Sequence, residues 1–177
     1  MADENEGSEL VPRLPTLEDL LLLCRRLNES DAKYIVVGGW AVIQHGFGRT
    51  TGDIDLLVET SPENVERIRQ AMLGLPDGAI REMRPDDLEN YVVVRVGDEF
   101  VVDLMKAACG IEYQEASNHI HWISVQEVRI PFATPELLLR TKQTYREKDV
   151  EDRLFLQGLL EKERKNPEPP APPFAPR

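Results

Sequence analysis

Apolar and polar positions along this chain repeat with two different periods, and each change of period marks an element. Leu17, Leu20, Leu21, Cys24 and Leu27 recur at helical spacing behind Thr16, a residue type whose hydroxyl caps helices. Residues 34–37 form a short continuous apolar run, a strand that enters Gly38-Gly39. Residues 40–45 read as a helix closed by Gly46, and residues 54–58 as a second strand. Pro62 opens a helix that runs to about Leu73, before a turn rich in Gly, Pro and Asp. Residues 91–96 and 100–105 are strand-like on either side of Gly97-Asp98, which predicts a hairpin. Residues 125–132 are a further strand. Thr134-Pro135-Glu136 starts a helix with proline at its first position, and a last helix spans about 148–164. Helices interleaved with strands, one pair antiparallel, predict an α/β (α+β) domain over residues 15–165. Its mixed sheet is flanked by helices, with two more helices at the C-terminal end.

Composition narrows this only in part. A length of 177 residues suggests one domain, and 6% aromatic content against 41% hydrophobic predicts an aliphatic core. The net charge of −11 argues against a surface built for nonspecific nucleic-acid or anionic-membrane binding. A local basic groove stays open, because screening makes the local field matter more than the total. Cys24 and Cys109 lie in no CxxC motif and are too few for a disulfide framework; both are read as buried thiols. The acidic N-terminus lacks the basic and apolar regions of a signal peptide, and the longest apolar run, 20–24, is far too short for a membrane span. A cytoplasmic location is expected. Residues 1–14 are expected to be disordered, as is the proline-rich tail 166–177.

The chemistry concentrates in two stretches. In Asp53-Ile54-Asp55-Leu56-Leu57-Val58, strand alternation points both carboxylates the same way. Adjacent carboxylates repel, and strand packing gives no reason for them. A hard divalent cation does, because Mg²⁺ takes oxygen ligands from one or two carboxylates plus substrate phosphates. Asp103 stands alone in the apolar run Val101-Val102-Asp103-Leu104-Met105, and a carboxylate there is costly unless paired or metal-bound. If the hairpin lies beside residues 53–58, three carboxylates converge. Asp98 is the rival third carboxylate, placed in the turn. Gly38-Gly39 at a helix start offers bare amides to a phosphate. Arg140, Lys142, Arg146 and Lys148 make a basic patch on an acidic chain, suited to a triphosphate or an RNA end.

Gly38-Gly39-Trp40-Ala41, Arg49-Thr50-Thr51-Gly52-Asp53-Ile54-Asp55 and the later Asp103 together resemble the DNA polymerase β-like nucleotidyltransferases. The pattern looks most like the toxin members of abortive-infection and type IV toxin–antitoxin systems. Gly-Gly-Trp-Ala is also similar to lincosamide-type antibiotic nucleotidyltransferases. The resemblance implies a nucleotidyltransferase fold and a catalytic, metal-binding set of Asp53, Asp55 and Asp103 with Mg²⁺ (or Mn²⁺). It implies nucleotide contacts from Gly38, Gly39, Arg49, Thr50 and Lys142. The donor would be an NTP such as ATP. The acceptor hydroxyl would belong to a tRNA, a protein or a small molecule, and a cognate antitoxin is an implied partner. By the same resemblance, Asp149 and Asp152 would orient the last helix or pair with Lys142 and Arg49. Three readings stay open against this: Arg49 as a structural partner of a carboxylate, Trp40 as core or as a base-stacking ring, and a catalytically silent nucleotide- or partner-binding module. His45, His119 and His121 are read as packing or surface residues, since two histidines make too few ligands for zinc.

Overall fold

The computed structural model describes residues 11–167. Most of the expected N-terminal segment and nearly all of the proline-rich tail therefore lie outside the described residues. Residues 11–14 do fall inside it, and there the Arg13 guanidinium grips Asp19 and Glu99.

The first helix, α1 (Leu17–Glu29), starts on a capping box. Thr16 accepts from the Asp19 amide, and the Asp19 carboxylate accepts from the Thr16 amide at 2.7 Å. Its apolar face, with Leu20, Leu23, Cys24 and Leu27 fully buried, lies against the sheet. β1 (Tyr34–Val37) leads directly into α2 (Gly38–Gln44), so this helix begins at the glycines, two residues earlier than expected. β2 (Asp53–Val58) runs back antiparallel to β1. Asn64, in α3 (Pro62–Met72), accepts from the Lys33 amide and donates to the Lys33 and Glu59 carbonyls, tying the start of β1 to the end of β2.

A 3-10 turn at Ala79–Glu82 and a short α4 (Asp87–Asn90) lead to β3 (Val93–Gly97) and β4 (Val101–Met105). Next come the two-residue strands β5 (Ala107–Ala108) and β6 (Ile111–Glu112), α5 (Tyr113–Ala116), β7 (Ile120–Val125) and β8 (Val128–Ala133). The chain ends in α6 (Pro135–Thr141), capped by Thr134, and α7 (Glu147–Lys165). Six strands form one sheet in the order β3-β4-β2-β1-β8-β7. β4 lies parallel to β2 and β8 parallel to β1, while the other pairs are antiparallel. The mixed sheet flanked by helices is the architecture expected.

Two local readings are corrected. The run 125–132 is not one strand but a hairpin, because Gln126 and Glu127 both adopt positive φ (46° and 66°) and turn β7 onto β8. The β3–β4 loop is three residues, Asp98–Glu99–Phe100, not a turn on Gly97-Asp98. Its Asp98 is 3% exposed and accepts the amides of Asp77, Ala79 and Glu99. The cysteines also divide: Cys24 is buried, whereas Cys109 is exposed in the β5–β6 turn at φ 48°. No helix among the described residues is long and apolar enough to cross a membrane.

Candidate active site

Strand register brings the acidic residues together. β2 and β4 run parallel with Asp55 directly opposite Asp103, and Asp53 lies two residues before Asp55 on the same face. One oxygen from each of Asp53, Asp55 and Asp103 lies within 4.8 Å of the others. The intervening Ile54, Leu56, Val102 and Leu104 are buried on the opposite face, so the core fixes which way the carboxylates point. Asp98, spent on three amides, is not part of this cluster.

The cluster opens into a cavity of about 480 Å³. Gly38, Gly39, Arg49 and Lys142 line it along with the three carboxylates. Thr50 does not; it is exposed, and its carbonyl accepts from Arg49 Nη1, while the next residue, Thr51, takes the wall position. Arg146 and Lys148 also reach the cavity. Arg140 points elsewhere and pairs with Glu115.

The two glycines are explained first by their neighbours. Gly38 has φ +63°, and a Cβ there would stand 1.9 Å from Asp55 Oδ2. A Cβ on Gly39 would stand 2.3 Å from Thr51 Oγ1. Any side chain at these positions would drive Asp55 and Thr51 from the cavity wall.

Arg49 and Lys142 at the cavity's rim are tied together by Asp152 behind them, and Asp149 is held through Lys142. Arg49 makes a two-pronged bond to Asp152, at 2.9 and 2.8 Å, with Asp152 fully buried. Lys142 Nζ lies 2.8 Å from Asp152 and 3.3 Å from Asp149. Burial pushes Asp149 up, but hydrogen bonds from Thr144 and Arg146 and the charge of Lys142 outweigh it and hold its carboxyl below the ordinary range. Arg49, from the α2–β2 connection, and Lys142, at the end of α6, thus share one buried anion on α7. This chain of pairs fastens the C-terminal helices to the cavity.

Electrostatics single out Asp55. Burial, then the charges of Asp53 and Asp103, push its carboxyl up to about 7, against the weaker opposing pull of Lys142 and Arg146. It forms no ion pair among the described residues. Asp103 does: Arg95, directly opposite on β3, bonds its two oxygens at 2.9 and 2.8 Å and reaches Asp53 at 3.2 Å. Arg95 is absent from the sequence expectations. Its signal was strand alternation, since Val94 and Val96 face the core and Arg95 faces the other way. The misjudged loop length hid its partner.

The remaining candidates lie apart from the cavity. Trp40 is 7% exposed and packs in the core. His45 pairs through Nε2 with the Ala133 carbonyl at 2.9 Å and stacks on His121.

A cation fits the acidic cluster on this chain's own evidence. Three hard oxygen donors converge on one point, two of them flank a carboxyl without an ion-pair partner, and a cavity gives access. No family model and no curated protein sequence matches the chain. Two of the solved structures similar to it are nucleotidyltransferase-like by name. One is a "putative nucleotidyltransferase" from Thermotoga maritima, at 13% identity and TM-score 0.48, over 85% of this chain and 90% of that one. The other is an antigenic nucleotidyltransferase-like protein from Paracoccidioides brasiliensis, at 17% identity and TM-score 0.49, over 83% and 86%.

Proposed function

We propose that this chain is a nucleotidyltransferase of the DNA polymerase β superfamily. It moves a nucleoside monophosphate from an NTP to a hydroxyl acceptor and releases pyrophosphate. The observation that carries the reading is the convergence of Asp53, Asp55 and Asp103 on two neighbouring strands at the floor of a cavity whose rim is cationic. Phosphoryl-group chemistry asks for little else, since positioning and electrostatics do most of the work.

Asp53, Asp55 and Asp103 would hold Mg²⁺ or Mn²⁺. Such an ion, when bound, neutralises phosphate charge and makes a hydroxyl easier to deprotonate. The protein's own residues divide the rest. Gly38 and Gly39 present backbone without side chains to the phosphates. Lys142 and Arg146 offset phosphate charge at the rim, with Lys142 held in place by Asp149 and Asp152. Arg49 acts through Asp152 and positions the rim, a role supported by its two-pronged bond to that carboxylate. Asp103 accepts the proton of the attacking hydroxyl. That hydroxyl's oxygen forms the new bond to the α-phosphorus as the bond to pyrophosphate breaks.

The test is incubation of the full-length protein with each α-labelled NTP, Mg²⁺ and a lysate containing RNA and protein. Label should move to a macromolecule or small molecule with release of pyrophosphate. Binding of Mg-NTP with no transfer and no pyrophosphate under any acceptor would refute the activity and leave a nucleotide-binding module.

A further inference from the structure

We propose that Arg95 is the resident counter-cation of the carboxylate cluster, competing with the divalent cation for Asp103 and Asp53 and thereby setting the cluster's metal affinity. This rests on the reading of the cluster as a metal centre. The guanidinium holds both oxygens of Asp103 and one of Asp53, so a single side chain engages two of the three ligands. A charged fork matched to a carboxylate is the strongest organic cation a protein can offer there.

Arg95 also has somewhere to go. β3 is the outermost strand on its side of the sheet, and the Arg95 side chain is 64% exposed. Val93, two residues away on the same face, is itself exposed. The carboxylate it serves is not open: the Asp103 side chain is 8% exposed, so Arg95 can leave only when another cation takes its place. Lys142 and Arg146 face the cluster from the other side, yet both are bound to Asp149. Among the described residues Arg95 is therefore the cation that touches the cluster directly. The divalent ion must displace it from Asp103, and the metal site opens only as far as the ion outcompetes it.

The experiment is a titration with Mn²⁺ alone, reading free Mn²⁺ by electron paramagnetic resonance, so that no turnover is involved. It compares full-length wild type with Arg95→Ala, Arg95→Lys and Asp103→Asn. A guanidinium and a divalent ion a few ångströms apart in a wet site repel enough to weaken binding on the order of ten- to thirtyfold. Arg95→Ala should tighten Mn²⁺ binding by about that factor, and Arg95→Lys, which keeps charge without the fork, by less. Methylguanidinium added to Arg95→Ala should weaken Mn²⁺ binding again and leave wild type unmoved. Equal or weaker binding in Arg95→Ala overturns the proposal, and should that variant fail to fold, equal or weaker binding in Arg95→Lys does so. Asp103→Asn separates the two levels. If wild type binds Mn²⁺ and Asp103→Asn loses it while the Arg95 variants match wild type, only the role of Arg95 falls. If no variant and no wild type binds, the metal centre falls with it.

Discussion

Replacing Asp55 by asparagine in the metal-free protein should raise the melting temperature at pH 8.5 and raise it clearly less at pH 5. Asp55 is half-buried beside Asp53 and Asp103, and desolvation and their charges push its carboxyl from 3.8 up to about 7 in the folded state. The folded chain therefore holds this proton more tightly than the unfolded chain. Stability falls as pH rises from about 4 through about 7, and the full penalty is present above that. At about 1.4 kcal/mol for each pH unit between the two values, the penalty approaches roughly 4 kcal/mol. That figure is a ceiling, since Arg95 and Lys142 lie close enough to adjust. For a domain of this size each kcal/mol moves melting by about 2–4 °C, so the ceiling corresponds to a gap of about 8–16 °C at pH 8.5. Asparagine keeps the shape and removes the charge. The assay is calorimetry of both proteins in EDTA from pH 5 to 8.5, read as the difference between them. The difference matters because burial lowers His45, which works in the opposite direction near pH 6, and that contribution cancels. A gap that stays flat with pH, or an Asp55→Asn protein that melts lower at pH 8.5, would refute the reasoning.

The other predictions follow from individual contacts. Asp53→Asn should abolish label transfer at saturating Mg²⁺ with unchanged circular dichroism; near-wild-type turnover would remove it from the metal set. Gly38→Ala adds a Cβ 1.9 Å from Asp55 Oδ2 at φ +63°, so it should cost roughly 1–3 kcal/mol in denaturant melts and lower kcat by tenfold or more. Lys142→Ala leaves Asp149 and Asp152 buried with less countercharge and should cost about 3–5 kcal/mol. It should also raise the KM for NTP, whereas Arg140→Ala, whose partner Glu115 is half-exposed, should stay within about 0.5 kcal/mol and leave KM unchanged. Asp103→Asn in EDTA should not stabilise as Asp55→Asn does, because Asp103 already has its countercharge in Arg95.

What the sequence disclosed and what it withheld follow from the range of the interactions. Asp53 and Asp55 share a face because strand period is local, and the apolar flanks of Asp103 marked it for the same reason. Placing Asp103 beside Asp55 needs the parallel register of β4 on β2, which depends on residues far apart, so it stood only as a condition. Arg95 shows the limit more sharply. Its alternation was legible, but its partner depends on the loop length, and a three-residue loop where Asp98 accepts three amides shifts every pair in the hairpin. Strand β7 was missed because its turn, Gln126-Glu127, has none of the glycine or asparagine that marks positive φ, and because an edge strand carries exposed His121, Trp122 and Ser124 in place of an apolar run. Gly38-Gly39 was read for what a ligand would need, while the nearer cause, room for Asp55 and Thr51, depends on side chains whose positions no local pattern fixes.

The buried ion pairs at the rim bear on how an acidic chain could handle an anionic substrate. With a net charge of −11, the protein as a whole repels a triphosphate. Within a few ångströms of the cavity, however, Arg49, Lys142 and Arg146 are gathered around just Asp149 and Asp152. Three cations paired with two buried anions leave one positive charge in excess, gathered where the α2–β2 connection meets α6 and α7. The cavity thus has a negative floor and a positive rim. A substrate carrying both a phosphate chain and a metal ion would be oriented by that polarity, phosphates toward α7 and metal toward β2 and β4. The same arrangement explains why Asp152 is fully buried although it never touches the cavity: it keeps Arg49 and Lys142 close together, and without it two cations would face each other across the rim.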